Sequence, residues 1–444
     1  MMADSLLPSV SVIIPTRDRR ESLRRTLDAL AAQTYLARLV DVTIVTDACS
    51  DGTEDMLRHY VAPFALRCLA LPSPNKGPAY ARNHGAASAV GEFLLFLDDD
   101  VEPAPTLIQA HVARHQHRPD HLVIGPYWPV LQHGPDCFRV AQQCWWNDKF
   151  VAMQRYGHRF TYTDVLAGNL SIATAIFRKV GGFDPSFPFA HEDYEFGARL
   201  IAAGYGVTLA REAIAYHHEN EHMTVPRACQ RARLEGRADV LIGRRHRHLL
   251  PSLPFAAFHD SFSMRRRIVR WFLYRAPSLG DRLANMVAQS LVWLDRVRLR
   301  KTWSRLFTAV RHYWYLRGVA EEAGDRRSVL DLLQEGPPRE DSIGPEIEID
   351  LQEGVPAAEQ RLDAERPHAV RLRFGPRVLG RIPSYPGSER LRGEHVRASL
   401  AGTMAWPYMT ALTIAHATAE GEHSRNSVST GRPSSGSSYA HKIY

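Results

Sequence analysis

From Gly91 to Asp100 the chain reads Gly-Glu-Phe-Leu-Leu-Phe-Leu-Asp-Asp-Asp, an apolar run that ends without transition in three carboxylates. A short apolar segment of this kind, entered from a glycine, reads as a strand covered on both faces, which is the habit of parallel sheets. The aspartates then stand at its carboxyl end, where open α/β sheets hold their ligands. Three adjacent acids repel one another, and a hard divalent cation taking oxygen ligands relieves that repulsion most directly. The plainer alternative is an acidic cap on a helix starting near Pro103.

The rest of the N-terminal half fits such a sheet. Val10 to Pro15 reads as a strand, followed by a helix over Arg19 to Gln33 with Leu23, Leu27, Leu30 and Ala31 at helical spacing. Val40 to Thr46 is a second strand, closed by the turn-forming run Asp47-Ala48-Cys49-Ser50-Asp51-Gly52-Thr53, with a helix from Thr53. Leu66 to Leu71 is a third strand, and a helix over Pro78 to Ala89 precedes the acid-ended one. Four such alternations predict a mainly parallel sheet with helices on both faces. Leu107 to His115 reads as a helix and His121 to Gly125 as a strand; Pro126 to Thr163 shows no clear period.

Further on, Glu192 and Asp193 open a helix reaching Ala203, in which Glu195 and Arg199 have the spacing of an ion pair. Val207 to Tyr216 reads as one strand running into His217 and His218. From residue 226 the character turns basic: Arg227 to Arg317 holds 20 Arg or Lys against 5 acids, so this stretch carries an excess of 15 while the whole chain carries +7. Trp303, Leu306, Phe307, Val310 and Trp314 form an apolar helical stripe bordered by Arg305, Arg311 and Arg317, the pattern of an interfacial helix or of a buried helical subdomain. No nucleic-acid motif accompanies the arginines, so nucleic acid is not an expected partner. Four regions follow: 1–225 around the sheet, 226–335 basic and helical, 336–419 a small module with strands at 346–351, 369–374 and 377–382, and a disordered tail over 420–444. Five cysteines without a Cys-X-X-Cys pair give no disulfide framework. With no signal peptide and no apolar run of membrane-spanning length, the expected location is cytoplasmic, with peripheral contact at the inner face of the membrane through 227–317.

Several of these segments occur together and in order in one known family. Ser11-Val12-Ile13-Ile14-Pro15-Thr16, the Asp47 to Thr53 turn, Asn75-Lys76-Gly77 with Ala81-Arg82-Asn83, Asp98-Asp99-Asp100, and Glu192-Asp193 with Arg199 downstream resemble the motifs of the family 2 glycosyltransferases. The resemblance covers about half of the chain. It implies a GT-A fold, a nucleotide-diphosphate sugar donor, Mg²⁺ or Mn²⁺, and transfer to a glycan or lipid-linked acceptor with inversion, in polysaccharide, glycolipid or glycan assembly. It also implies that Pro15, Thr16 and Asp47 surround the base and ribose, that Asp98 lies near the ribose, and that Asp100 ligates the metal, with Asp99 an alternative ligand because three aspartates leave the register open. Thr46 and Cys49 depart from the usual acid and small residue at their positions, which leaves the identity of the base open.

The chemistry of these side chains agrees with such a role. A metal on Asp98 and Asp100, with His217 as a further ligand, would stabilise charge on a departing diphosphate, and Lys76 and Arg82 would neutralise more of it. Asp193 is the candidate general base, because an adjacent Glu192 discourages its ionisation and so raises its basicity. Trp145 and Trp146 fit either a sugar platform or ordinary packing. A catalytically silent scaffold that binds a nucleotide sugar, a glycan or a partner protein is the alternative function, and a nucleotidyltransferase would share the metal acids but not the Glu-Asp pair.

Overall fold

The computed structural model describes residues 7–71, 76–130, 136–187, 190–219, 223–259, 263–335 and 346–429, with side chains up to residue 418. Strands β1 (Val10–Thr16), β2 (Val40–Thr46), β3 (Ala65–Ala70) and β4 (Phe93–Leu97) alternate with helices α1 (Arg20–Ala31), α2 (Thr53–His59) and α3 (Gly77–Ala87). The chain continues through β5 (Val101–Pro103), α4 (Leu107–His117), β6 (His121–Ile124), β7 (Tyr127–Pro129), α5 (Cys137–Met153), β8 (Asn169–Ala173) and α6 (Thr174–Val180). Then come α7 (Glu192–Ala202), β9 (Gly206–Leu209) and β10 (Ala215–His217).

Among the described residues the main sheet has seven strands in the order β3-β2-β1-β4-β8-β6-β9. β1 pairs in parallel with β2 and β4, whereas β8 runs antiparallel to both β4 and β6. Every residue of β2 and β4 is buried, as a strand with helices on both sides requires. The expected single strand over Val207 to Tyr216 divides in two. The exposed Arg211 and Glu212 form a turn between β9, which joins the main sheet, and β10, which pairs with β5 and β7 in a second sheet. This division carries His217 to the register position opposite Val101, immediately after the three aspartates.

The basic stretch is helical: α8 (Val225–Arg245), α9 (Pro254–His259), α10 (Met264–Tyr274), α11 (Pro277–Arg296), α12 (Arg300–Ala323) and α13 (Arg326–Gln334). One continuous apolar core runs from Val10 to Leu332 and takes in Val240, Phe255, Leu316 and Val329 of these helices. Of the stripe on α12, Trp303, Val310 and Trp314 are buried, and Leu306 and Phe307 pack beside Phe138 of α5 and Leu291 of α11. That stripe therefore faces protein, and it is closed to a lipid surface. No helix among the described residues is long and apolar enough to cross a membrane.

Packing separates two units. Residues up to 344 together with 384–390 form one, and 345–383 with the residues from 391 onward form the other. In the second unit β11 (Glu346–Asp350) and β12 (Ala369–Phe374) are parallel, joined through α14 (Val355–Glu365), and β13 (Arg377–Ile382) pairs antiparallel with β12. Ile349, Leu362, Leu372 and Val396 fill its core beneath α15 (Gly393–Ala401). The backbone of α16 (Ala405–Ser429) is helical over the first ten residues of the tail expected to be disordered, while 430–444 lie outside the described residues, as do Gly336, Pro337 and Pro338, whose sequence alone suggests a linker.

Candidate active site

The site grows from the end of β4. Phe96 packs on Phe177 and Phe183, each at 5.2 Å between ring centres, and both of those rings meet Phe196 of α7. This aromatic cluster sets the acid-ended strand against the helix that begins with Glu192 and Asp193. Asn83 fastens it from α3, donating to the Phe183 carbonyl (2.6 Å) and accepting from the Phe183 N–H (2.9 Å). Arg199 pairs with Glu195 at 2.8 Å as its spacing predicts, and its other donors bind the carbonyls of Val180 and Gly182 at 2.6 Å, tying α7 to the turn after α6.

The three aspartates part company. Asp98 accepts from Arg82 Nη2 at 2.7 Å, while Arg82 Nη1 donates to Glu192 Oε1 at 2.7 Å, so one buried guanidinium joins the two acidic motifs. Asp99 accepts from Thr16 Oγ1 (2.7 Å) and Arg19 Nη1 (2.9 Å). Asp100 accepts from the same Arg19 nitrogen at 2.7 Å and lies 3.5 Å from His217 Nε2. Burial and the neighbouring Asp100 push Asp99 up to about 7, against the opposing pull of Arg19 and Thr16. Burial would raise Asp100 too, but His217 and Arg19 hold it well below the usual carboxylate range. Reciprocally, His217 is raised although burial opposes its charge, because Asp100 faces it.

Asp193 is half-buried in the first turn of α7, where Oδ1 accepts from the Tyr194 N–H at 2.9 Å and Oδ2 from the Ala167 N–H at 3.4 Å. Burial first and then the Glu192 charge push its carboxyl up to about 6, with His191 and Arg82 pulling the other way. His191, in the left-handed conformation at φ 57°, is bonded to Asp239 of α8 at 2.8 Å. Burial would depress it, but Asp239 raises it to about 9, so a cation stands beside the acid pair.

Pro15 and Thr16 lie at the end of β1, level with Val45 and Thr46, and the Asp47 N–H donates to the Thr16 carbonyl at 3.0 Å. Asp47 is buried and accepts from the Gly77 N–H at 3.4 Å, which brings the exposed Lys76 to this edge of the sheet rather than to the aspartates. Asn75 lies outside the described residues. The expected ligand set Asp98, Asp100 and His217 is gathered only as the pair Asp100–His217, since Asp98 is turned to Arg82. Among the described residues the set of three candidate ligand atoms found within 4.8 Å of one another is instead Asp18, Cys49 and Asp51. Its oxygens serve the local turn: Asp18 accepts from the Ser50 N–H, and Asp51 accepts from the N–H groups of Arg20 and Thr53. Trp146 is buried against Tyr127, Phe150 and His217 and donates to Glu219 at 3.0 Å, so it packs behind the site; Trp145 remains half exposed.

Two cations escaped the sequence reading. Arg19 reads in the sequence as the start of a helix, and only the fold brings it onto Asp99 and Asp100. Arg231 of α8 lies 3.6 Å from Glu219 and 3.5 Å from Glu235, and its charge acts on both Asp193 and Glu192.

Residues 11–179 match the family described as glycosyl transferase family 2, and residues 148–223 match a second described as the N-terminal domain of galactosyltransferase. A validoxylamine A glucosyltransferase of Streptomyces hygroscopicus subsp. jinggangensis is 31% identical over 318 residues, spanning 65% of this chain and 74% of that one. The chain belongs to glycosyl transferase family 2. Glycosyltransferase AglE of Haloferax volcanii is a more distant relative of this glycosyltransferase, 27% identical over 48% of this chain and 68% of its own. Among solved structures, Staphylococcus aureus TarS matches with a TM-score of 0.43 at 17% identity, over 71% of this chain and 55% of that one. A Pyrobaculum calidifontis mannosyltransferase, determined with GDP-Man and Mn²⁺, matches with a TM-score of 0.44 at 16% identity, over 71% of this chain and 87% of that one.

Proposed function

We propose that this family 2 glycosyltransferase moves a hexosyl group from a nucleotide-diphosphate sugar to an acceptor hydroxyl in one displacement that inverts the anomeric centre. The observation that carries this reading is the Arg82 bridge, which couples the acid-ended strand through Asp98 to the Glu192–Asp193 start of α7. Donor-side and acceptor-side acids are thereby held as one rigid unit. Support for a hexosyl donor comes from the glucosyltransferase relatives.

In the proposed reaction Asp193 removes the proton from the acceptor hydroxyl, the oxygen bonds to the anomeric carbon, and the bond to the donor's phosphate oxygen breaks with its electron pair leaving on the nucleoside diphosphate. A carboxyl raised to about 6 is ionised near neutral pH yet more basic than an exposed aspartate, the compromise a general base needs. Glu192 and Arg82 position it, and Asp47, Pro15, Thr16 and Lys76 surround the nucleotide. Asp100 and His217, 3.5 Å apart, would hold a divalent ion of the Mg²⁺ or Mn²⁺ class once the ion displaces the imidazole proton that now pairs them, leaving an anionic oxygen and a neutral nitrogen as ligands. Such an ion would supply Lewis-acid stabilisation of the leaving diphosphate. The acceptor in this reading is a glycan or a lipid-linked glycan.

The test is a transfer assay with UDP-, GDP- and dTDP-hexoses, with and without Mn²⁺, and assignment of the product anomer by NMR. Transfer with inversion from one of these donors supports the reading; retention of configuration overturns the single displacement, and diphosphate release from a nucleoside triphosphate and a sugar phosphate would show a nucleotidyltransferase instead.

A further inference from the structure

Away from the acidic site, helices α10, α12 and α13 line a half-open cavity of about 930 Å³, the size range of small-molecule sites. Its walls carry Arg267, Arg270, Arg275, Arg317, Arg326 and Arg327 against two acids, Glu321 and Asp325. Both acids are already committed. Asp325 caps α13 by accepting from the Ser328 N–H at 2.7 Å, and Glu321 is taken by Arg233 and by Arg317, the latter at 3.0 Å. Arg317 is further tied to Asp281 at 3.2 Å. Arg267, Arg275 and Arg326 have no carboxylate within 4.0 Å among the described residues. Like charges facing one cavity repel, and Arg270 registers this: burial first, then Arg326, Arg267 and Arg266, lower its pKa. Arg267, Arg275 and Arg326 thus present forked donors that match phosphate geometry, with no described carboxylate competing for them.

The apolar surroundings are equally specific. Trp271 and Tyr274 line the cavity, and Trp271 continues an outward stripe on α10 with Ile268 and Met264, which are 51%, 51% and 66% exposed. Spacings of three and four residues put these side chains on one helical face. We propose that the cavity binds a phosphate-bearing ligand, its charged group held by Arg267, Arg275 and Arg326 and its apolar part lying along Trp271. The site is separate from the acidic motifs and does not rest on the proposed transfer reaction. A phospholipid headgroup and a soluble phosphorylated molecule share this chemistry.

Two arms separate those sources in the full-length protein at fixed ionic strength without divalent metal. Inorganic pyrophosphate is titrated calorimetrically, and flotation is measured with phosphatidylcholine vesicles with and without phosphatidylglycerol. Binding of pyrophosphate alone supports a soluble ligand, and additional binding to the anionic vesicles supports a lipid headgroup. In either case Arg267→Gln/Arg326→Gln should weaken binding about tenfold or more while transfer and melting temperature stay at the wild-type level. Both side chains are exposed, so the change touches no core, and Arg275→Gln provides a second, single-site variant. Absence of binding in both arms overturns the proposal, as does binding that neither variant weakens.

Discussion

Asp193 joins catalysis and stability with opposite signs. Its folded carboxyl, at about 6, lies above the value of about 4 for an exposed aspartate. The native state therefore holds extra protons between these values, and stability from this group falls as pH rises through that window, leaving a penalty above pH 6. Asp193→Asn removes the penalty. It should lose transfer by about 10²- to 10⁴-fold while melting at or above the wild-type temperature at pH 7.5, with the difference closing at pH 4. Donor affinity should be nearly unchanged, and the acid limb of the wild-type rate profile should lie near pH 6. A variant that transfers normally would end the base assignment; one that melts early would trace its inactivity to misfolding. Arg82 behaves differently, because it is a buried cation between two carboxylates. Replacing it by Met leaves Asp98 and Glu192 uncompensated, at an expected cost of about 3–5 kcal/mol in urea unfolding. A change below about 1 kcal/mol would mean that water, rather than Arg82, satisfies the acids.

At the scale of elements, most of the sheet was legible because its strands are uniformly apolar and bounded by turn formers. β2 and the three strands of the second unit begin and end within one residue of their expected limits. The sequence is silent where tertiary pairing decides. β8 looks like a polar-ended segment, Asn169 to Ala173, yet inserts antiparallel at the centre of the sheet, where Asn169 is buried by donating to the Ala213 carbonyl at 2.9 Å. α5 carries no helical period in the sequence because its aromatic residues face several partners rather than one stripe. The site was legible in its residue types but not in its pairings: Arg19 on Asp99 and Asp100, or His217 on Asp100, join positions 80 or more residues apart. The packing of α8 on α12 has its own signature in Gly236 and Gly318. A Cβ at Gly318 would overlap the Arg233 carbonyl, and one at Gly236 would overlap that of Tyr315. Gly318→Ala must therefore separate two helices whose contact backs the acidic site through Asp239 and His191. We expect a loss of about 1–3 kcal/mol in urea unfolding, and unchanged stability would show that the helices slide apart without cost.

At the scale of the whole chain, the first unit is completed by residues that follow all three described strands of the second unit in sequence. The segment 384–390 returns to it, where the Tyr162 N–H donates to the Gly387 carbonyl at 2.9 Å and the Glu389 N–H donates to the Phe160 carbonyl at 2.8 Å. The short turn held in this way, Tyr162 to Asp164, supports α7: Gly197 leaves room for Val165 and the Tyr162 carbonyl, and the Tyr162 and Tyr194 rings meet edge to face. Tyr194 is the neighbour of Asp193, so the far end of the chain braces the candidate base. A chain ending at residue 344 loses this brace and should show both a lower melting temperature and slower transfer. Truncation also removes the second unit, so a point variant is needed to separate the two effects. Gly387 sits at φ +70°, and a Cβ there would press into the Tyr162 ring, so Gly387→Ala should cost about 1–2 kcal/mol. If the brace matters, this variant reproduces the direction of both truncation effects with the second unit intact. Wild-type melting and turnover in Gly387→Ala, beside a damaged truncation, would instead assign the effect to the second unit itself.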